Sequence, residues 1–167
     1  AEGPFTAFVF KSIVDPYVGQ LTLLRIFSGS ILANTTFYNA NKRTKERIGQ
    51  LYLLQGKEQR QVESASCGDI IAIAKLKETN TSDSLCDEKE PILFDPIIFP
   101  EPAISASVKP KSRQDDDKIS GALSKLAAED PTFKGGHDPQ TNELVISGLG
   151  DLHLAIMVER MKKRFNV

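Results

Sequence analysis

From Phe5 to about Cys86, apolar residues fall in short runs that either alternate with polar ones or stand together: "FTAFVFKSI", "QLTLLRIFS", "TTFYNA", "RIGQLYLLQG" and "DIIAIAKLK". Alternation with a period of two marks a strand with one buried face, because successive side chains leave opposite sides of the backbone. Asp15-Pro16 and the glycines at 19, 29, 56 and 68 lie between the runs and read as turns. Short strands, frequent turns and no helical period predict an antiparallel β-barrel over residues 1–88, closed so that strand edges are not left bare.

The pattern then changes twice. Residues 89–102 carry Pro91, Pro96, Pro100 and Pro102, and proline removes a backbone donor and fixes φ, so this stretch reads as a stiff connector. Beyond it "PAISASVKPK" alternates as a strand, and Ile119, Ala122, Leu123, Leu126 and Ala127 then follow the i, i+3, i+4, i+7, i+8 spacing of one helix face. Ser112 and Asp115 suggest a capping box at its start. "TFKGGHD" and "ELVISGLG" read as two strands around a Pro-Gln-Thr-Asn turn. In the closing "DLHLAIMVERMKKRF", Leu154, Met157, Val158, Met161 and Phe165 share one arc of a second helix.

The fold class expected is therefore all-β plus α+β: a β-barrel followed, over 103–167, by a β-α-β-β-α unit. That order is a ferredoxin-like split βαβ domain lacking its last strand. The absent strand would lie beside the first, so "AISASVKPK" is expected to have an unpaired edge, and this half to be the less ordered or more association-prone one.

Composition narrows the function. The chain has 167 residues, 40% hydrophobic and 26% charged, which suits one globular domain or two small ones. Its apolar stretches are too short to cross a bilayer and its first residues lack a signal peptide's pattern, so the cytoplasm is the expected compartment. Cys67 and Cys86, with only two histidines, support neither a zinc site nor a disulfide framework. The chain begins without Met and stops just past a helical run, and is expected to be a piece of something larger.

Two glycines bracket Leu149 ahead of Asp151-Leu152-His153, but the third glycine of a dinucleotide fingerprint is missing and no GxxxxGK[ST] phosphate loop occurs. Asp151 in the first helical turn would repel an anion. A lone His beside one Asp lacks a nucleophile, so catalysis is not expected of His153, nor is any cofactor or metal in this chain. His153, Arg160 and Arg164 instead form a second stripe bordered by Met157, suited to a neighbouring domain or an acidic partner, or else a solvated basic flank. In the barrel half, residues 41–60 hold Lys42, Arg43, Lys45, Arg47, Lys57 and Arg60 against Glu46 and Glu58, in a chain of net charge −1. Charge segregated in this way is expected of phosphate-backbone binding, by shape rather than by base stacking, since Tyr52 is almost alone among aromatics there.

"FPEPAISASVKPKSRQDDDKISGALSKLAAEDPTF" and "SGLGDLHLAIMVERMKKRFNV" closely resemble the third domain of the elongation factor G family. "DPYVGQLTLLRIFSGSI" and "CGDIIAIAKLKETNTSDSLCDE" resemble its second. Asp151 stands where that family usually has Glu, and Lys75 and Ser82 where it usually has Gly, which leaves open a paralogue as well as the main translocase. The resemblance implies a fragment of a translational GTPase that drives tRNA and mRNA movement, or ribosome recycling, with GTP and Mg held in an upstream domain. It implies that the barrel contacts small-subunit ribosomal RNA through Lys42, Arg43, Lys45 and Arg47. The third domain would rest against the nucleotide domain and touch a small-subunit protein, with an interdomain inhibitor pocket at Asp130, Thr132, His153, Met157 and Arg160. Rival readings are another translational GTPase, a free RNA-binding barrel, or a stand-alone acylphosphatase-like enzyme, whose arginine-bearing phosphate loop is not visible.

Overall fold

A computed structural model describes residues 3–15, 18–56, 58–110 and 113–167. The chain divides into two compact units, Ala1–Ile97 and Ile98–Val167. Lys57 and Ser112 lie outside the described residues, and the expected capping box at Ser112 with them.

The first unit contains ten strands. They are β1 (Thr6–Asp15), β2 (Gly19–Ser28), β3 (Ser30–Leu32), β4 (Thr36–Asn39), β5 (Thr44–Arg47), β6 (Leu51–Gln55), β7 (Glu58–Val62), β8 (Ser64–Ser66), β9 (Ile70–Ala74) and β10 (Ser84–Cys86). Eight pair in the order β5-β4-β10-β1-β2-β9-β6-β7, and β3 pairs with β8 as a separate ribbon. Among the described residues these strands pair antiparallel throughout.

Connectivity forces this sheet to curl. β5 ends the sheet and β6 lies six strand spacings away, about 29 Å if flat. Only Ile48, Gly49 and Gln50 join them, and a chain of that length reaches at most about 15 Å. The seam is stitched by backbone bonds from Ile48 N to Thr35 O at 2.8 Å, Asn34 N to Gly49 O at 2.9 Å and Ala33 N to Glu63 O at 2.8 Å. Inside lie Val9, Leu24, Ile26, Phe37, Ile48, Leu51, Ile71, Ile73 and Leu85, the inward members of the alternating runs.

Lys75 and Ser82, where glycine was the expected residue of the family, take φ 61° and φ 76°. Both keep the left-handed turn that glycine favours. The connector's first half adheres to the barrel: the Phe94 ring packs 5.7 Å from Phe8 and 5.1 Å from Phe27, and its amide donates to Ser84 Oγ at 2.9 Å. Residues 91–103 have no regular secondary structure.

The second unit contains β11 (Ile104–Val108), α1 (Arg113–Glu129), β12 (Lys134–His137), β13 (Leu144–Gly148), α2 (Asp151–Arg160) and a π-helical turn (Met161–Phe165). Its sheet order is β11-β13-β12, so β11 is an edge strand paired only with β13 among the described residues. Ile119, Ala122, Leu123 and Leu126 of α1 meet Leu154, Met157 and Met161 over Phe133, Leu144 and Ile146 in one core. Val158 and Phe165 pack at its margin. Both helical spacings read from the sequence thus face the core, apart from Ala127, which is only half-buried.

Candidate functional sites

The hairpin of β4 and β5 pairs Thr36 with Arg47, Phe37 with Glu46, Tyr38 with Lys45 and Asn39 with Thr44. Strand alternation sends Lys45 and Arg47 to the exposed face and Glu46 to the other. Lys42 and Arg43, both exposed, occupy the tip, where Arg43 takes φ 56°.

A buried carboxamide holds that tip. Asn39 Oδ1 accepts from the amides of Asn41 at 3.1 Å and Lys42 at 3.0 Å. Its Nδ2 donates to Thr79 Oγ1 at 3.2 Å and Asp83 Oδ2 at 2.9 Å, while Asn41 Oδ1 accepts from Ser84 N at 2.7 Å. Glu46 is turned away from the cations: its carboxylate accepts from the amides of Lys77 and, at 3.2 Å, Glu78, and from the Thr79 hydroxyl at 2.7 Å. The hairpin therefore shows its positive charge outward and spends its acid on a neighbouring loop. Nothing in the basic stretch announced Asn39 or Glu46 as its supports; the signal was a polar residue at each inward strand position.

The four cations are not equivalent. Lys45 Nζ lies 2.6 Å from Glu88 Oε2, an exposed pair worth at most about 1 kcal/mol. Among the described residues, Lys42, Arg43 and Arg47 form no ion pair.

In the second unit, Asp130 follows α1 and accepts from both the Thr132 amide at 3.0 Å and the Thr132 hydroxyl at 2.6 Å through Oδ1. Its Oδ2 stands 3.2 Å from His153 Nε2. His153 Nδ1 accepts from Leu149 N at 3.0 Å, so the proton of the neutral ring sits on Nε2, towards the carboxylate. The approach to Oδ2 is off-line for a good hydrogen bond, and we read the contact as mainly electrostatic. Burial pushes the Asp130 carboxyl up, but the Thr132 hydrogen bonds and the neighbouring His153 outweigh it and hold the group below its ordinary value. The Phe133 ring meets the imidazole edge-on at 6.1 Å.

Of the five residues expected at an interdomain pocket, Asp130, Thr132 and His153 form this one cluster. Met157, only 1% exposed, lies beneath it in the core, and Arg160 is exposed on α2. The mixed stripe of His153, Met157, Arg160 and Arg164 does not form. Arg164 instead makes a two-pronged clamp on Glu129, Nη1 to Oε2 at 2.7 Å and Nη2 to Oε1 at 3.0 Å, tying the π-helical turn to the end of α1. Among the charged exposed residues of α2 lies an apolar patch: Leu152 and Ile156, with Leu149 just before the helix, are 75%, 40% and 43% exposed. Their i, i+3, i+7 spacing was visible in the sequence but was hidden behind the stronger inward stripe.

Gly148 joins strand to helix at close quarters. A Cβ there would fall 2.9 Å from both His153 Nδ1 and Leu154 Cδ2, whereas one on Gly150 would meet nothing. Among the described residues no group of His, Cys, Asp and Glu is arranged to hold a metal, and no helix is long and apolar enough to cross a membrane.

A curled antiparallel barrel with an outward cationic hairpin, followed by a small split βαβ unit, is the architecture of a translation-factor module. A family model for elongation factor G domain 2 matches residues 4–88, and one for elongation factor G domain III matches 99–167. The chain belongs to the elongation factor G family. Elongation factor G of Ureaplasma parvum serovar 3 is 46% identical over 164 residues, which is 98% of this chain and 24% of that protein. The Ureaplasma urealyticum serovar 10 protein of the same name matches to the same extent. A crystal structure from Thermus thermophilus superposes with a TM-score of 0.82 at 32% identity, over 96% of this chain and 24% of that one. The chain thus spans 24% of the length of the curated relatives it matches.

Proposed function

We propose that this chain is the ribosome-binding and interdomain-coupling part of an elongation factor G-type GTPase, which promotes tRNA and mRNA translocation during protein synthesis in the cytoplasm. The barrel docks on small-subunit ribosomal RNA through Lys42, Arg43 and Arg47, with Lys45 as a weaker contributor because Glu88 already pairs with it. The observation that carries this reading is the fixed hairpin, whose cations face solvent while its acid faces a loop. A binding surface already held in shape loses less side-chain and loop entropy on docking.

The second unit is the coupling element. Its exposed apolar face at Leu149, Leu152 and Ile156 and the adjoining Asp130, Thr132 and His153 cluster suit contact with the nucleotide-binding domain. Contact with a small-subunit protein is proposed for the same unit. GTP and Mg belong to that other domain. Coupling requires that this face meet the two nucleotide states differently, by a shift of packed bodies rather than by chemistry.

In the full-length protein, His153→Ala and Arg160→Ala should each slow ribosome-stimulated GTP turnover and leave nucleotide affinity unchanged. Normal turnover in both variants would remove the coupling role.

A further inference from the structure

Two surface cavities of the first unit are of similar size but opposite character. One, of about 440 Å³, is lined by Lys45 and Lys89 but also by Asp87, Glu88 and Glu90. The other, of about 480 Å³, is lined by Arg47, Lys75, Tyr52, Gln50 and Asn34, and no carboxylate is among its described lining residues. An anion is repelled by the first and attracted by the second. Its volume is within the range of small-ligand sites.

The second cavity lies on the seam that closes the barrel, where Asn34 N donates to Gly49 O at 2.9 Å and Ile48 N to Thr35 O at 2.8 Å. Its walls are therefore fixed by backbone bonds. Tyr52 is partly exposed and its hydroxyl donates to Gln50 Oε1 at 2.5 Å, which sets the ring's orientation. Lys75 is exposed, yet it holds φ 61° with its amide donating to Gln20 O at 3.0 Å. A residue with a Cβ is unfavourable in that conformation, and an exposed lysine adds nothing to the core in return. Strain of this kind is kept where the side chain has a task.

We propose that this cavity is a nucleotide subsite for RNA, taking one backbone phosphate between Arg47 and Lys75 and laying the attached base along the Tyr52 ring. The subsite rests on the RNA-facing reading of the barrel and adds to it a single nucleotide turned out of its stack. Arg47 supplies paired donors, Lys75 a mobile point charge and Tyr52 a face that accepts any base, so the site selects an unstacked nucleotide by shape rather than sequence.

The test measures binding of the chain to purified small ribosomal subunits over a salt series. Lys75→Gly relieves the backbone strain, so weaker binding by that variant cannot come from unfolding. Combined with Arg47→Gln, it should flatten the slope of log affinity against log salt by about 0.7, because one phosphate is no longer neutralised. Tyr52→Leu should weaken binding roughly 5- to 150-fold and leave the slope unchanged. Lys42→Gln with Arg43→Gln at the hairpin tip serves as the comparison. Because Arg47 also belongs to the hairpin's RNA-facing set, the deciding variants are Lys75→Gly alone and Tyr52→Leu. Weaker binding by these supports the subsite, whatever the tip does. Loss in the tip variants alone overturns the subsite and leaves the RNA-facing barrel standing, and no loss in either overturns both.

Discussion

Gly148 sets the geometry of the joint between β13 and α2, because any side chain there would press on the imidazole and on Leu154. Gly148→Ala is expected to destabilise the second unit by about 1–3 kcal/mol through overpacking, and Gly150→Ala, with open space around it, to stay within about 0.5 kcal/mol. Urea unfolding of both variants checks the pair. Lys75→Gly should raise the stability of the barrel by about 1 kcal/mol, since φ 61° suits glycine and disfavours lysine; an unchanged or lower midpoint would contradict the strain. Asp130 is held below its ordinary carboxyl value, so its contribution is complete above the unfolded-state value of about 4 and is lost as pH falls through the lower folded value. Asp130→Asn should therefore flatten the acid limb of the second unit's stability curve, as read by unfolding at stepped pH. A limb as steep as that of the unmodified chain would remove Asp130 from that role.

Among the elements, the β4–β5 hairpin depends on a side chain that carries no charge. Asn39 is fully buried and bonds to the backbone of Asn41 and Lys42 and to the side chains of Thr79 and Asp83. Asn39→Ala strands those partners and should cost about 1–3 kcal/mol, with faster amide exchange at Asn41 and Lys42. Normal exchange there would mean the tip is held by something else. The helices and the strands with an alternating or continuous apolar run were legible in the sequence, as with Ile119, Ala122, Leu123 and Leu126, whose spacing carries its own meaning. Short or polar strands such as β7 and β8, with little apolar surface to bury, were not. The tip's rigidity was not legible, because it comes from Asn39 meeting Thr79 and Asp83, some forty residues away. Arg164 misled for the same reason: its helical position marked it as part of an outward stripe, whereas Glu129 of α1 captures it. Met157 stood at the border of two stripes, and packing against the sheet decided for the core.

At the scale of the whole chain, the order barrel, proline-rich connector, split βαβ unit was readable because each part has its own periodicity, and the two family matches fall on the same two halves. On the function proposed above, the molecule grips RNA with one unit, signals with the other and breaks no bond itself. The grip is the part measurable on this chain directly. Small-subunit binding should be compared between the unmodified chain and a variant with Lys42, Arg43, Lys45 and Arg47 all changed to Gln, between about 50 and 200 mM salt. The expected result is a clear loss of affinity at the low end and a shallower fall with salt. Equal affinity and equal slope in the two proteins would contradict the claim that this hairpin faces RNA.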